Sequence, residues 1–320
     1  MCFRQSNVFQ GLSWVELNFH RRECAQFVPC AKDRTRCGCG RDRETHTKKE
    51  VFFPPRDTWD VTRHTELLGT DSYGTIEFQG GPHPIKAQYV RLDYETKPGL
   101  VLELLTKHWG LEMPKLLISV HGGIANFDLQ PKLKRVFHKG LFKAAKTTGA
   151  WIMTGGTNTG VMFHVGEALG DTLTQARNNI VSIGIAPWGV VHKRCDLIGS
   201  DIVTAYHAIS TPKSTNVVLN SNHSHFLLVD NGTVGKYGCE INFRKRLEKH
   251  IAQQRIITRS GTKNYRTPVV CLVLEGGTNI IRTVLECVTD TPPVPVVVCD
   301  GSGRAADILA FTHKYALEDG

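Results

Sequence analysis

Two groups of residues in this chain have the types and spacing to do chemistry. The first is a set of glycine turns, each following an apolar run. In the stretch 150–169, "AWIMTGGTNTGVMFHVGEAL", an apolar segment runs through Thr154, Gly155, Gly156 and Thr157 into what reads as a helix start. That arrangement points backbone N–H groups and the positive end of a helix dipole at one spot, where a phosphate can sit. Taken alone, the same turn serves as a tight strand-to-helix connection that needs glycine only for a positive φ. The turn recurs at His121-Gly122-Gly123, Pro187-Trp188-Gly189, Asp230-Asn231-Gly232-Thr233, Glu275-Gly276-Gly277 and Asp300-Gly301-Ser302-Gly303-Arg304. The second group is sulfur and imidazole: Cys24, Cys37, Cys39 and His46, in a segment rich in Cys, Arg, Lys and Pro and without helical or strand periodicity. Thiolates and an imidazole can hold one zinc ion tetrahedrally and staple a region that has no core of its own. The Cys-x-Cys spacing is less typical than Cys-x-x-Cys, and free thiols are the other reading.

Two side-chain placements sharpen the phosphate reading. Arg304 follows Gly301, Ser302 and Gly303 at the expected opening of a helix, where a guanidinium can fork onto a phosphate beside exposed N–H groups. A solvated surface arginine is the alternative. Tyr237 and Arg244 stand seven residues apart, close to two helical turns. If a helix begins near the tyrosine, one side chain can stack on a base while the other holds a phosphate. Phe243, Leu247 and Ile251 form the opposite stripe, which faces a core.

The elements that must position these residues follow from the pattern of apolar runs. Runs at 115–120, 150–153, 180–186, 225–229, 269–274 and 294–298 alternate with helical or loop segments. Continuous apolar strands separated by amphipathic helices indicate a doubly wound α/β fold with a mostly parallel sheet. In such a sheet the turns after the strands share one edge, and ligands bind there where the strand order reverses. Before Pro114 the chain reads differently: the Cys-rich segment, a β-hairpin (73–78 and 88–93 around Gly80-Gly81-Pro82-His83-Pro84) and a short helix over 98–108. The expected division is therefore 1–113, a small N-terminal part, and 114–320, a domain with a nucleotide-binding crevice.

Bulk properties bound the rest. With 41% hydrophobic residues in a 320-residue chain, a sizeable core can form, and a net charge of +9 favours an acidic partner. No nucleic-acid motif or interleaved aromatic and basic stripe accompanies that charge, which argues against nucleic acid. Ten cysteines fall below the density of a disulfide scaffold and point to a reducing compartment; Cys271 and Cys299 read as small core residues of strands. The segment "MCFRQSNVFQGLSW" has no secretory pattern, and no stretch approaches the length of a membrane span.

The blocks "LLISVHGG", "TTGAWIMTGGTNTGVM", "GIAPWGVV", "SNHSHFLLVD" and "GSGRAAD", together with the cysteine segment, resemble in the same order the N-terminal cytosolic homology region of melastatin-type TRP cation channels. The resemblance covers essentially the whole chain, and the stretch 220–251 looks nearest to the ADP-ribose-gated member, melastatin 2. It implies a SLOG-type fold on the cytoplasmic side of the plasma membrane, in a homotetrameric, calcium-permeable channel. It also implies ADP-ribose as ligand, held by Tyr237, Arg244 and Arg304 with the glycine turns of His121, Gly122, Gly123, Gly155, Gly156, Thr157, Gly301, Ser302 and Gly303. His121 stands where relatives commonly carry threonine. Distant relatives of the fold are phosphoribohydrolases with a PGGxGTxxE motif. Here Asp230-Asn231-Gly232-Thr233 is followed by a glutamate only at Glu240, so no catalytic residue is assigned. A hydrolase using Glu240 or Glu275, and a purely structural assembly domain, are the competing expectations.

Overall fold

The computed structural model describes residues 12–46, 58–80, 85–170, 180–209, 216–257 and 264–319. The N-terminal reading over 1–11 and most of the expected hairpin connection, 81–84, lie outside the described residues. The elements run as follows: α1 (Trp14–Asn18), β1 (His20–Cys24), α2 (Val61–His64), β2 (Thr65–Gly69), β3 (Ser72–Gln79), β4 (Ile85–Asp93), α3 (Pro98–Glu103), β5 (Leu117–Gly122), α4 (Pro131–Thr148), β6 (Trp151–Thr154) and α5 (Gly160–Gly170). They continue with β7 (Val181–Pro187), β8 (Gly199–His207), β9 (His225–Asp230), α6 (Cys239–Gln253), β10 (Arg255–Ile257), β11 (Asn264–Arg266), β12 (Val269–Leu274), α7 (Thr278–Thr289), β13 (Val296–Val298) and α8 (Arg304–Asp319).

One sheet of nine strands, in the order β13-β12-β5-β6-β7-β9-β4-β3-β8, organises the molecule, and the fold is the expected doubly wound α/β class. From β13 to β4 every neighbouring pair is parallel. Alternation along the strands explains why both faces are covered. Leu117, Trp151, Met153, Ile183, Ile185, Leu227 and Val229 pack with Phe243, Leu247 and Ile251 of α6 and with α3. Ile118, Val120 and Ile152 turn the other way, onto Phe137 and Leu141 of α4 and Val161 and Val165 of α5. Helix α4 shows the local rules plainly: Pro131 occupies its first turn, and Gly149 closes it at φ 64°, with Gly149 N–H on the Ala145 carbonyl.

The hairpin forms, but it is no separate N-terminal appendage. Strand β4 pairs in parallel with β9 from Gln88 to Asp93, and β3 carries β8 on its other side. The large sheet therefore crosses Pro114, the expected boundary, because the hairpin's second strand supplies a missing neighbour to β9. The separate two-stranded sheet of β1 and β2 was not anticipated, since His20–Cys24 is mostly polar. Nor was β8, an edge strand with alternating exposed residues. The helix expected over 98–108 is α3, continued as a wider π-type turn over Leu104–His108.

His225 opens β9 almost fully buried, with Nδ1 2.8 Å from Ser224 Oγ and its ring 5.2 Å from that of Trp109. Burial pushes its pKa down to about 4. The unfolded imidazole titrates near 6.5, so between that value and about 4 the unfolded chain binds the extra proton and stability falls as pH falls. Lowering pH from 7 to 5 should cost about 2 kcal/mol through this one group. Urea unfolding at both pH values should show a smaller acid loss in His225→Gln than in the parent; equal losses would remove His225 from the account.

Candidate functional site

The carboxyl ends of the seven parallel strands share one edge, and the six glycine turns lie along it. From β5 the chain steps through β6 and β7 to β9 in one direction. It then returns to the far side of β5 for β12 and β13, so the order reverses between β5 and β12. The two turns at that point touch. A Cβ on Gly123 would stand 1.8 Å from Glu275 Oε2, so only glycine lets the Glu275 carboxylate close the gap.

A cavity of about 600 Å³ runs from beside this point along α6, between it and α7. His121, Gly122, Gly155, Thr157, Tyr237 and Arg244 all line it, together with Glu240 and Ile241. Gly123, Gly156, Gly301, Ser302, Gly303 and Arg304 lie along the edge without lining that cavity. Tyr237 is 46% exposed and precedes α6, which begins at Cys239. The pair with Arg244 is thus not a helical-face pair: the loop, not the helix, presents the ring to the cavity. Burial raises the Tyr237 and Glu240 pKa values. Glu240 sits in the first turn of α6 and accepts from Gly238 N–H at 2.7 Å.

The N–H groups expected to be bare are largely in use. Gly156 N–H donates to Thr154 Oγ1 at 2.9 Å, Gly160 N–H to Asn126 Oδ1 at 2.9 Å, and Val161 N–H to the Gly123 carbonyl at 2.9 Å. In the last turn a carboxylate from the same helix fills the anion place: Asp307 Oδ1 accepts from Gly301 N–H at 2.8 Å and Gly303 N–H at 3.0 Å. Arg304 does open α8, but its Nη1 donates to Glu275 Oε1 at 3.1 Å; the arginine side chain is 65% exposed and the carboxylate 8%.

Arg244 is the most heavily bonded of the expected contacts. Its Nε donates to Glu248 Oε1 at 2.7 Å, and its Nη2 reaches Ser119 Oγ at 2.7 Å and the carbonyls of Val120 at 3.0 Å and Met153 at 3.1 Å. Nη1 has no hydrogen-bond partner among the described residues, and Arg244 lines the cavity. His121 Nε2 sits 2.8 Å from Ser119 Oγ; burial, then the Arg244 charge, holds its pKa well below the ordinary imidazole range, so the ring is neutral. Glu248 and Ser119 went unnoticed in the sequence, although Arg244 and Glu248 have the four-residue spacing of a helical ion pair.

Away from the crevice, the four residues expected to bind metal come together. Cys24, Cys37, Cys39 and His46 are all buried, and their ligand atoms lie within 4.8 Å of one another. The surroundings suit a cation. His46 Nδ1 donates to the Asp42 carbonyl at 3.0 Å, which leaves the Nε2 lone pair facing Cys39 Sγ at 3.4 Å. Each sulfur accepts an N–H: Cys37 from Val28 at 3.4 Å, Cys39 from Arg41 at 3.4 Å, and Cys24 from Trp59 Nε1 at 3.2 Å. A hydrogen bond from Cys24 pushes the Cys37 thiol far down, whereas Cys24 and Cys39 are pushed up because they share its neighbourhood. Ionising all three thiols together takes a cation among them.

Comparison with known proteins gives the family. A family model described as SLOG in TRPM matches residues 87–320, and the chain belongs to that family. It is 58% identical over 313 residues to the Drosophila melanogaster transient receptor potential cation channel trpm, covering 97% of this chain and 15% of that one. It is 52% identical over 321 residues to the mouse channel subfamily M member 1, covering 96% and 20%, and 49% identical over 335 residues to human subfamily M member 7, covering 96% and 18%. The chain thus spans a fifth or less of the length of these relatives. No helix among its described residues is long and apolar enough to cross a membrane.

The two arginines differ in what they do for the fold. Arg244→Ala leaves the nearly buried Glu248 carboxylate with Ser119 Oγ but no cation, takes a donor from two strand-end carbonyls, and should cost about 3 kcal/mol. Arg304→Ala removes a 65% exposed guanidinium from Glu275, whose carboxylate keeps the Gly276 N–H, and should cost no more than about 1 kcal/mol. Equilibrium denaturation of both variants checks this, and equal losses would contradict the bonding pattern.

Proposed function

We propose that this chain is the ligand-sensing region of a melastatin-type TRP cation channel, and that it takes a nucleotide bearing adjacent phosphates, ADP-ribose, in the crevice under α6. The observation that carries the reading is the convergence of Tyr237, Arg244, His121, Gly155 and Thr157 on one cavity beside the strand-order reversal. Tyr237 offers an exposed ring for a base, and Arg244 Nη1 a donor for a phosphate. Arg304, more than half exposed at the neighbouring turn, is the second cationic contact. The choice of ADP-ribose rests on the resemblance of residues 220–251 to melastatin 2 alone; the relatives named above are a fly channel and members 1 and 7. Coupling to a pore, calcium permeation, a tetramer and a cytoplasmic location all belong to the longer polypeptide.

A purely structural assembly role is the second reading, and one observation favours it: Nε and Nη2 of Arg244, and several of the glycine-turn amides, are already bonded within the protein. Hydrolysis is the third and has less support, because Glu240 accepts from its own helix start and Glu275 from Gly276 N–H. For the cysteine cluster we propose zinc, by donor set and burial.

Calorimetric titration with ADP-ribose, AMP and NAD separates these readings. ADP-ribose should bind, chromatography after long incubation should return it unchanged, and metal analysis should find one zinc per chain. No heat from any of the three ligands would leave the assembly role, and release of AMP with ribose 5-phosphate would establish the hydrolase.

A further inference from the structure

The loop between β9 and α6, residues 231–238, is wedged between the thiol cluster and the sheet. Val234 N–H donates to the Cys39 carbonyl at 2.8 Å, and Gly235 N–H to the Gly189 carbonyl at 3.0 Å. Lys236 Nζ donates to the Gly38 carbonyl and stands 5.7 Å from the centre of the Trp59 ring, whose Nε1 bonds Cys24 Sγ. The fit leaves no slack. Gly40 has φ +93°, and a Cβ there would stand 2.3 Å from the Val234 carbonyl oxygen. On the cluster side the loop's bonds therefore go to Gly38 and Cys39, backbone that the ligand residues Cys37 and Cys39 bracket. On the other side, the loop's next residue is Tyr237 at the cavity.

We propose that a thiolate-seeking divalent cation of the zinc class, held by Cys24, Cys37, Cys39 and His46, controls the position of this loop, so that metal occupancy regulates the crevice. The proposal rests on the crevice reading above for its consequence, but not for its geometry. The apolar packing around the cluster is small: Cys24, Phe27, Cys37 and Cys39 group together with Trp59 against them, beside buried Ala25 and Val28. Three of the first four are the metal's own ligands. When the cation leaves, the four side chains lose the bonds that gather them, and the backbone at Gly38 and Cys39 moves with them. Val234 then loses its acceptor, and Lys236 loses the carbonyl it grips. The sheet is secured by larger clusters on both faces and keeps its structure.

The test is amide hydrogen exchange on the 320-residue chain, zinc-loaded and after treatment with a high-affinity chelator, with zinc measured in each sample. Removing the metal should speed exchange at Val234 about tenfold while amides of β5, β6 and β7 stay as they were. Unchanged exchange at Val234 in metal-free protein overturns the proposal. So does an equal rise throughout the sheet, which would mean the metal holds the whole domain rather than this loop. Protein that carries no zinc and takes up none from zinc sulfate overturns it at the first step. Lys236→Met keeps all four ligands. It should retain one zinc and still exchange about threefold faster at Val234, and parent-like exchange counts against the linkage. ADP-ribose titrated into the loaded and stripped samples separates the two readings. Binding about tenfold weaker after stripping supports both; equal binding overturns the regulatory consequence. A metal-dependent loop with no binding in either state refutes ADP-ribose and leaves the control of the loop in place.

Discussion

A buried ion group joins the parts of this molecule. Arg91 of β4 is 2% exposed; its Nε donates to Asp230 Oδ2 at 2.7 Å, its Nη1 to Asp71 Oδ1 at 3.0 Å, and its guanidinium lies 4.5 Å from the Trp188 ring centre. A guanidinium taken out of water is tolerated only where carboxylates and acceptors surround it, and removing one member leaves an uncompensated charge. Each partner comes from a different piece: Asp71 from the corner before β3, Trp188 from the turn after β7, Asp230 from the end of β9. Asp230 has a second duty, since its Oδ1 accepts from Gly232 N–H at 2.8 Å and so begins the loop that leads to Tyr237. Nearby, Arg22 of β1 donates to Asp93 Oδ1 at 2.8 Å, which brings the N-terminal strand to the same end of the sheet. The charges thus fix the hairpin in the sheet and bring β1 to the same end of it.

The parallel core was legible in the sequence for a physical reason. A strand buried on both faces cannot alternate, and so 225–229 and 269–274 appear as unbroken apolar runs. What escaped notice was whatever lacked that property. Strand β8 has one covered side and an open edge, with Val203 65% exposed, and its pattern looks like loop. The hairpin was visible, but its place was not, because pairing of β4 with β9 joins residues well over a hundred positions apart and leaves no local trace. A boundary drawn at Pro114 from composition therefore cut through a single sheet.

The site shows the same asymmetry between donors and acceptors. Residue types announce donors: arginines, glycine turns and a tyrosine near a strand end all pointed to the edge where they are found. Sequence does not announce which acceptor will reach them first. Asp307 lies in the same short motif as Gly301 and Gly303, yet only the fold of α8 brings its carboxylate onto their N–H groups. Glu275 closes on Arg304 and Glu248 on Arg244 by the same logic. The cysteine cluster was easier to foresee, since few residue types bind a soft cation; the His46 contact with Asp42 that frees Nε2 needed coordinates.

An anion site that holds its own carboxylates behaves differently from a bare one. A free cradle gains a full set of charge-assisted bonds on binding, whereas a phosphate arriving here gains only the difference between its bonds and those it displaces. Affinity is reduced, but the displaced groups are attached to structure. A ligand that wins Arg244 weakens its hold on Glu248 and on the ends of β5 and β6. One that wins Arg304 frees Glu275 from the gap between β5 and β12. In the reading proposed above, binding would be tied to a rearrangement of α6 and of the switch point, because the ligand would exchange its bonds for those of Glu248 and Glu275. That is the property a sensor needs: a ligand transmits nothing unless it favours one arrangement over another, and receptors already satisfied in its absence supply the second arrangement.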